Sequence, residues 1–230
     1  MGKVGAIIPA AGKGKRMQHY FPKQFLPLRD HPLLYYTLKV FEECEDIEEI
    51  ILVIDREYRE FVEESILSPY RWEKLKDLVE GGEHRQESVY QGLKAGEGWE
   101  WVVVHDAVRP FLRPSLLKEV IREVKEKEAV TLGVPLEDTL KEVNKERKIL
   151  KTLRRERLWR IQTPQAFRYS LLLAAHQKAI KDKFLATDDA SLVERLGKEV
   201  FIIPGSPLNL KITTPFDLLL AQTILETGIW

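Results

Sequence analysis

The chain has 230 residues, 44% of them hydrophobic, with 36 Lys and Arg balanced by 36 Asp and Glu. That length supports a sizeable core without disulfide or metal staples, and the charge balance excludes a global field that would draw nucleic acid or a membrane surface. No stretch approaches the roughly 20 apolar residues of a membrane span, and the one cysteine, Cys44, cannot form an intrachain disulfide, so a soluble, cytoplasmic protein is expected.

The first apolar run, Val4 to Pro9, gives way to Ala10, Ala11, Gly12, Lys13, Gly14, Lys15 and Arg16. Small residues let backbone N–H groups approach an anion closely, and the cations beside them neutralise it, so the segment reads as a triphosphate cradle. It is not a Walker A loop, because no Gly-Lys-Ser/Thr follows, and Met17 stands where a dinucleotide fingerprint needs its third glycine. A lone GxG would equally suit a tight strand-to-loop turn. Arg16, together with Lys23 after Pro22, favours the ligand.

Pro32 then opens the amphipathic pattern LLYYTLKVFEEC, which places Cys44 as a buried structural thiol. Continuous apolar runs recur at 50–54, 101–105, 129–134 and 200–204, as expected of parallel strands covered on both faces. Pro114 and Ser115 precede a helix in RPSLLKEVIREVKEKE, and Thr214 and Pro215 start the final helix in TTPFD. Strands alternating with helices predict an α/β sandwich, read as one domain over residues 1–230.

Residues 137–160 break the alternation. EDTLKEVNKERKILKTLRRERLWR is dense in charge, and its apolar residues are too sparse for a core helix. A two-stranded arm turning at Asn144-Lys145 fits better. Such a ribbon is marginal alone, so it should pack on a second subunit.

PAAGKGKRM, PKQFLPL, GGEHRQESV, VHDAVRP, TPQAF, ATDDASLVE and NLKITTP, in this order, resemble the 2-C-methyl-D-erythritol 4-phosphate cytidylyltransferase family of the non-mevalonate isoprenoid pathway. The match runs from about Val4 to Asp217. The resemblance implies a doubly wound, mostly parallel, Rossmann-like nucleotidyltransferase core. It also implies a Mg²⁺-dependent transfer of CMP from CTP to a polyol phosphate, and a homodimer with exchanged β-arms.

Carried over by position, Arg16 and Lys23 match the pair that stabilises the pentavalent phosphorus. Ala10, Ala11, Gly12 and Gly14 match triphosphate and ribose contacts, while Gly82, Glu83 and Ser88 match the cytidine-reading segment. Asp106 matches the acid near Mg²⁺ and substrate. Thr139, Arg155, Thr163, Thr187 and Lys211 match groups that hold the polyol phosphate, and Arg109 is a further candidate. Thr139, Thr163 and Thr187 read as plain turn or cap residues without the positional match, and most charged runs like KTLRRERLWR are solvated faces. This sequence departs from the family at Glu83, where Asp is common, at Leu208, where an acid often stands, and at Phe216, which replaces a Glu. The Leu208 departure puts a second metal carboxylate in doubt.

A phosphate nucleophile is already anionic, so positioning and charge stabilisation should carry catalysis. Arg16, Lys23, Arg155 and Lys211 are the cations in place for it, without any Ser-His or Cys-His pair. His105 reads as a buried strand-end residue rather than a base. The alternatives are a ribitol 5-phosphate cytidylyltransferase and a non-catalytic nucleotide sensor on the same fold. Retention of Arg155 and Thr163 favours the methylerythritol substrate over the first, and retention of Arg16, Lys23, Asp106 and Lys211 argues against the second.

Overall fold

The computed structural model describes residues 2–12 and 21–229. Its seven-stranded sheet contains β1 (Val4–Pro9), β4 (Glu49–Ile54), β5 (Leu75–Glu80), β6 (Trp101–Val104), β7 (Ala129–Pro135), β10 (Trp159–Arg168) and β11 (Phe201–Pro204). Their order is β11-β7-β10-β6-β1-β4-β5. Every pairing is parallel except those of β10, which runs antiparallel to both β6 and β7.

Successive strand residues point to opposite faces, and here both faces are covered. Ala6, Ile8, Ile50, Leu52 and Val103 enter one core with Leu34, Leu38 and Phe41 of α1 (Leu33–Glu42) and Leu117, Val120 and Ile121 of α4 (Pro114–Lys127). Ile7, Ile51, Val53, Val102 and Val104 enter the other. There they meet α3 (Arg85–Ala95), α5 (Tyr169–Lys181) and α6 (Asp189–Arg195). The strands therefore read as unbroken apolar runs. Cys44 is buried just beyond α1.

The last helix, α7 (Pro215–Thr227), starts at a Thr214 cap whose side chain accepts from the Asp217 N–H, while Asp217 accepts back from the Thr214 N–H. It packs with Leu28, Leu33, Phe111 and Ile212 in a third cluster, against which Leu208 also rests. Phe216, at its first turn, stands 72% exposed. A two-stranded ribbon, β2 (Pro27–Leu28) with β3 (His31–Pro32), adjoins α7, and the short α2 (Arg59–Val62) puts Val62 into the first core. No helix among the described residues is long and apolar enough to cross a membrane.

The arm is an antiparallel pair, β8 (Lys141–Val143) with β9 (Ile149–Thr152), exposed throughout. Its turn is longer than the expected Asn144-Lys145. The chain reverses over residues 144–148: the Asn144 side chain accepts from the Lys148 N–H, and Arg147 adopts a left-handed φ of 63°. Leu140, Val143, Ile149 and Leu150 are all exposed on it.

Candidate active site

Parallel β1, β4 and β6 end at one edge of the sheet, where open α/β folds bind ligands. Two adjoining pockets, about 290 Å³ and about 440 Å³, open there and share Arg85, Asp106 and Lys211 as a common wall. The first is lined by Ala10, Ala11, Gly12 and Lys23 on one side and by Gly82, Glu83 and Ser88 on the other. Arg109, Thr163 and Thr187 line the second. The sequence thus separates by motif what the sheet gathers at one edge. Arg16 and Gly14 lie outside the described residues. Thr139 and Arg155 line neither pocket: both are exposed at the base of the arm, where Arg155 Nη1 donates to the Glu137 carbonyl.

Backbone groups shape the first pocket. Gln24, buried by the turn after Lys23, donates from Nε2 to the carbonyls of Ala10 (2.5 Å) and Gly12 (3.1 Å). That satisfies the oxygens of the loop on the protein side. Across the pocket Ser88 Oγ accepts from the Gly82 N–H at 3.2 Å and donates to the His84 carbonyl, where α3 begins. A Cβ at Gly81 would stand 2.5 Å from Ala11 Cβ, so only glycine lets the two loops meet.

Asp106, just past β6, is held on all sides. Its Oδ1 accepts from Arg85 Nε at 2.9 Å, its Oδ2 lies 2.7 Å from Lys211 Nζ, and Arg109 Nε stands 3.6 Å away. Burial acts to raise its pKa, but Arg85, Lys211 and Arg109 outweigh it and hold the carboxyl well below its ordinary range. Its backbone N–H donates to Thr163 Oγ1 at 3.0 Å. Thr163 in turn lies 3.1 Å from His105 Nδ1, and His105 Nε2 lies 3.1 Å from the Arg109 carbonyl. The carbonyl accepts only, so Nε2 carries the proton and Nδ1 accepts the threonine hydroxyl. Burial pushes the His105 pKa down to about 4 and keeps it neutral, a structural strand-end residue as the sequence indicated. The Thr163 proton is therefore committed, and towards a substrate this hydroxyl offers an acceptor. Arg109 is itself an anchor, with Nη1 donating to the Asn209 carbonyl at 2.7 Å.

Gln24 in PKQFLPL, Arg85 in GGEHRQESV, Asp189 in ATDDASLVE and Asn209 in NLKITTP carried no assignment in the sequence, although each lies inside a motif and supports the site. Asn209 Nδ2 donates to the Thr163 carbonyl at 2.8 Å, where β10 shifts register against β7 around the cis Thr163–Pro164 bond. No spacing rule marks such residues, because their partners lie far away in the chain.

A magnesium ion bound here would have few protein ligands. Among the described residues no group of three or more His, Cys, Asp or Glu is arranged to hold a metal, and Leu208 packs into the third core cluster. Asp106 alone is the carboxylate common to both pockets. A single hard carboxylate fits Mg²⁺ that keeps waters and is otherwise bound by substrate phosphates.

The model of the family described as 2-C-methyl-D-erythritol 4-phosphate cytidylyltransferase matches residues 4–227. The chain belongs to this family. A relative of that name from Syntrophus aciditrophicus is 45% identical over 225 residues, 97% of this chain and 96% of its own length. Another from Clostridium novyi is 43% identical over 98% of both chains. Among solved structures, 4-diphosphocytidyl-2C-methyl-D-erythritol synthase from Anaerococcus prevotii superposes with a TM-score of 0.86 at 32% identity, covering 98% of this chain and 96% of that one. The family's cytidylyltransferase from Thermus thermophilus gives 0.79 at 32% identity, covering 97% and 99%. The doubly wound, mostly parallel nucleotidyltransferase core is thus the family's fold.

Proposed function

We propose that the two pockets sharing Asp106 and Lys211 are the seats of CTP and of 2-C-methyl-D-erythritol 4-phosphate, and that the family's reaction runs across the wall between them. CMP passes from CTP to the substrate phosphate, and pyrophosphate leaves, in isoprenoid precursor synthesis. The observation that carries this reading is a carboxylate and two cations common to two adjoining pockets, one edged by a small-residue loop.

In this arrangement the loop at residues 10–12 and Lys23 receive the triphosphate. The Gly81 N–H donates to the Ile54 carbonyl and the Gly82 N–H to Ser88, so these two donors of the turn facing the base are already used, and its carbonyl oxygens complement cytosine's amino donor. The phosphate oxygen of the second substrate attacks the α-phosphorus in line, and the P–O bond to the pyrophosphate breaks. Lys23, with Arg16 in the role its motif implies, neutralises charge that builds on the phosphates, whereas Lys211 draws two repelling anions together. Asp106 would hold Mg²⁺, which when bound supplies further neutralisation of the phosphates. Thr187, with the acceptor oxygen of Thr163, orients the polyol.

Thr139 and Arg155 stand apart from both pockets of their own chain, which supports a homodimer in which the partner's arm delivers them. The exposed apolar residues of β8 and β9 support the same assembly. A cytoplasmic setting accords with a lone buried cysteine.

Pyrophosphate release from CTP, assayed in parallel with methylerythritol 4-phosphate and ribitol 5-phosphate, tests the substrate. A higher kcat/KM for the ribitol compound would overturn the assignment of the second pocket. Comparable kcat/KM for UTP and CTP would overturn that of the first.

A further inference from the structure

Arg85 opens α3 and lies between two carboxylates from distant parts of the chain. Its Nε donates to Asp106 Oδ1 at 2.9 Å and its Nη1 to Asp189 Oδ2 at 2.7 Å. Asp189 opens α6, is 1% exposed and lines neither pocket. It is itself fixed, because its Oδ1 lies 3.1 Å from His176 Nε2 and its backbone N–H donates to Gln165 Oε1 at 3.1 Å. Asp189 therefore cannot touch a substrate in either pocket, yet one guanidinium connects it to the carboxylate they share.

We infer that Asp189 is a positioning residue for the transfer reaction: through Arg85 it fixes Asp106 in the wall between the two substrates. A guanidinium without Asp189 would have several donors free beside two incoming phosphate anions, and it matches phosphate geometry well. It would turn towards them and let Asp106 go. With Nη1 bonded to Asp189 and Nε to Asp106, Arg85 is committed to two carboxylates before substrate arrives. This matters because the other close partner of Asp106, Lys211, has a side chain 37% exposed and is the cation placed to move onto a phosphate. Arg85 then keeps the carboxylate in place, and Asp189 keeps Arg85. The inference rests on the reading that Asp106 serves both substrates.

The test compares kcat, both KM values and the thermal midpoint for the wild type, Asp189→Asn, the double variant Asp189→Asn/Arg85→Gln, and Asp106→Asn. Asp189→Asn keeps the side-chain volume but removes the charge that holds Arg85 and one of the two acceptor oxygens that Arg85 and His176 share. Its kcat should fall about 100-fold, the scale on which a displacement of roughly 1 Å acts, with KM for CTP changed by less than about threefold. The double variant removes both paired charges together, so its thermal midpoint should return towards wild type while kcat stays low, and it decides the question if Asp189→Asn alone does not fold. Recovery of kcat along with the midpoint in the double variant would reduce the pair to a structural tie and overturn the inference. So would a loss confined to KM for CTP, which would make Arg85 a direct triphosphate ligand. Asp106→Asn separates the two layers: wild-type kcat there would overturn the site reading itself, whereas an inactive Asp106→Asn beside a fully active Asp189→Asn would overturn only the role of Asp189.

Discussion

Lys211 Nζ lies 2.7 Å from Asp106 Oδ2, and the lysine side chain is 37% exposed where the aspartate is 8% exposed. The more exposed partner of this pair is thus the cation, which is the group that two incoming phosphates attract. Lys211→Ala should lower kcat/KM about 10²- to 10³-fold, the cost of one preorganised electrostatic contact. The fold should survive, since Arg85 and Arg109 remain beside Asp106. Steady-state kinetics alongside a thermal melt check this, and kcat/KM within about threefold of wild type would remove Lys211 from the site.

Gln24 holds the phosphate loop from behind through the Ala10 and Gly12 carbonyls. Gln24→Ala would leave both without this donor and let the loop turn. KM for CTP should rise about tenfold, equivalent to about 1.4 kcal/mol, with a smaller change in kcat. An unchanged KM for CTP would show that the loop keeps its shape without this side chain.

The shared site can be tested with two inactive parents. Lys23→Ala chains carry a sound arm and a broken core site, and Arg155→Ala chains the reverse. If arms act in trans, an equal mixture after subunit exchange should recover roughly a quarter of wild-type activity, because half the dimers are mixed and each holds one intact site. Failure to recover activity after verified exchange would confine Arg155 to its own subunit.

Glu49, at the start of β4, accepts from Lys3 Nζ at 2.5 Å and Trp99 Nε1 at 2.7 Å and lies 3.0 Å from Lys76 Nζ. Burial acts to raise its pKa, but the bonds from Lys3, Trp99 and Lys76 outweigh it and hold it at about 2, against an ordinary 4.5. A depressed carboxylate stabilises the fold above its unfolded pKa and stops doing so as pH falls through the folded one. Glu49→Gln should therefore cost about 1–2 kcal/mol at pH 7, allowing for solvent screening. The gap to wild type should close as pH drops from 4.5 towards 2. Denaturant melts across that range measure it, and a gap that is independent of pH would assign the loss to packing.

Much of this protein was legible from order along the chain. The apolar runs at Val4 to Pro9 and 101–105, the Thr214 cap and the small-residue loop at Ala10 depend on local patterning and on close backbone approach, which spacing records, whereas the motifs around Gly82 and Asp106 were legible through the family resemblance. The sparse apolar content of 137–160 likewise showed that this segment could not bury itself. Tertiary structure alone decided the antiparallel course of β10, the five-residue reversal at 144–148, and the commitment of the Thr163 hydroxyl to His105. It also decided the path from Asp189 through Arg85 to Asp106, whose members are 104 and 21 residues apart. Hydrogen bonds between buried charges depend on which side chains the sheet brings within about 3 Å of each other, and no periodicity in the sequence encodes that distance.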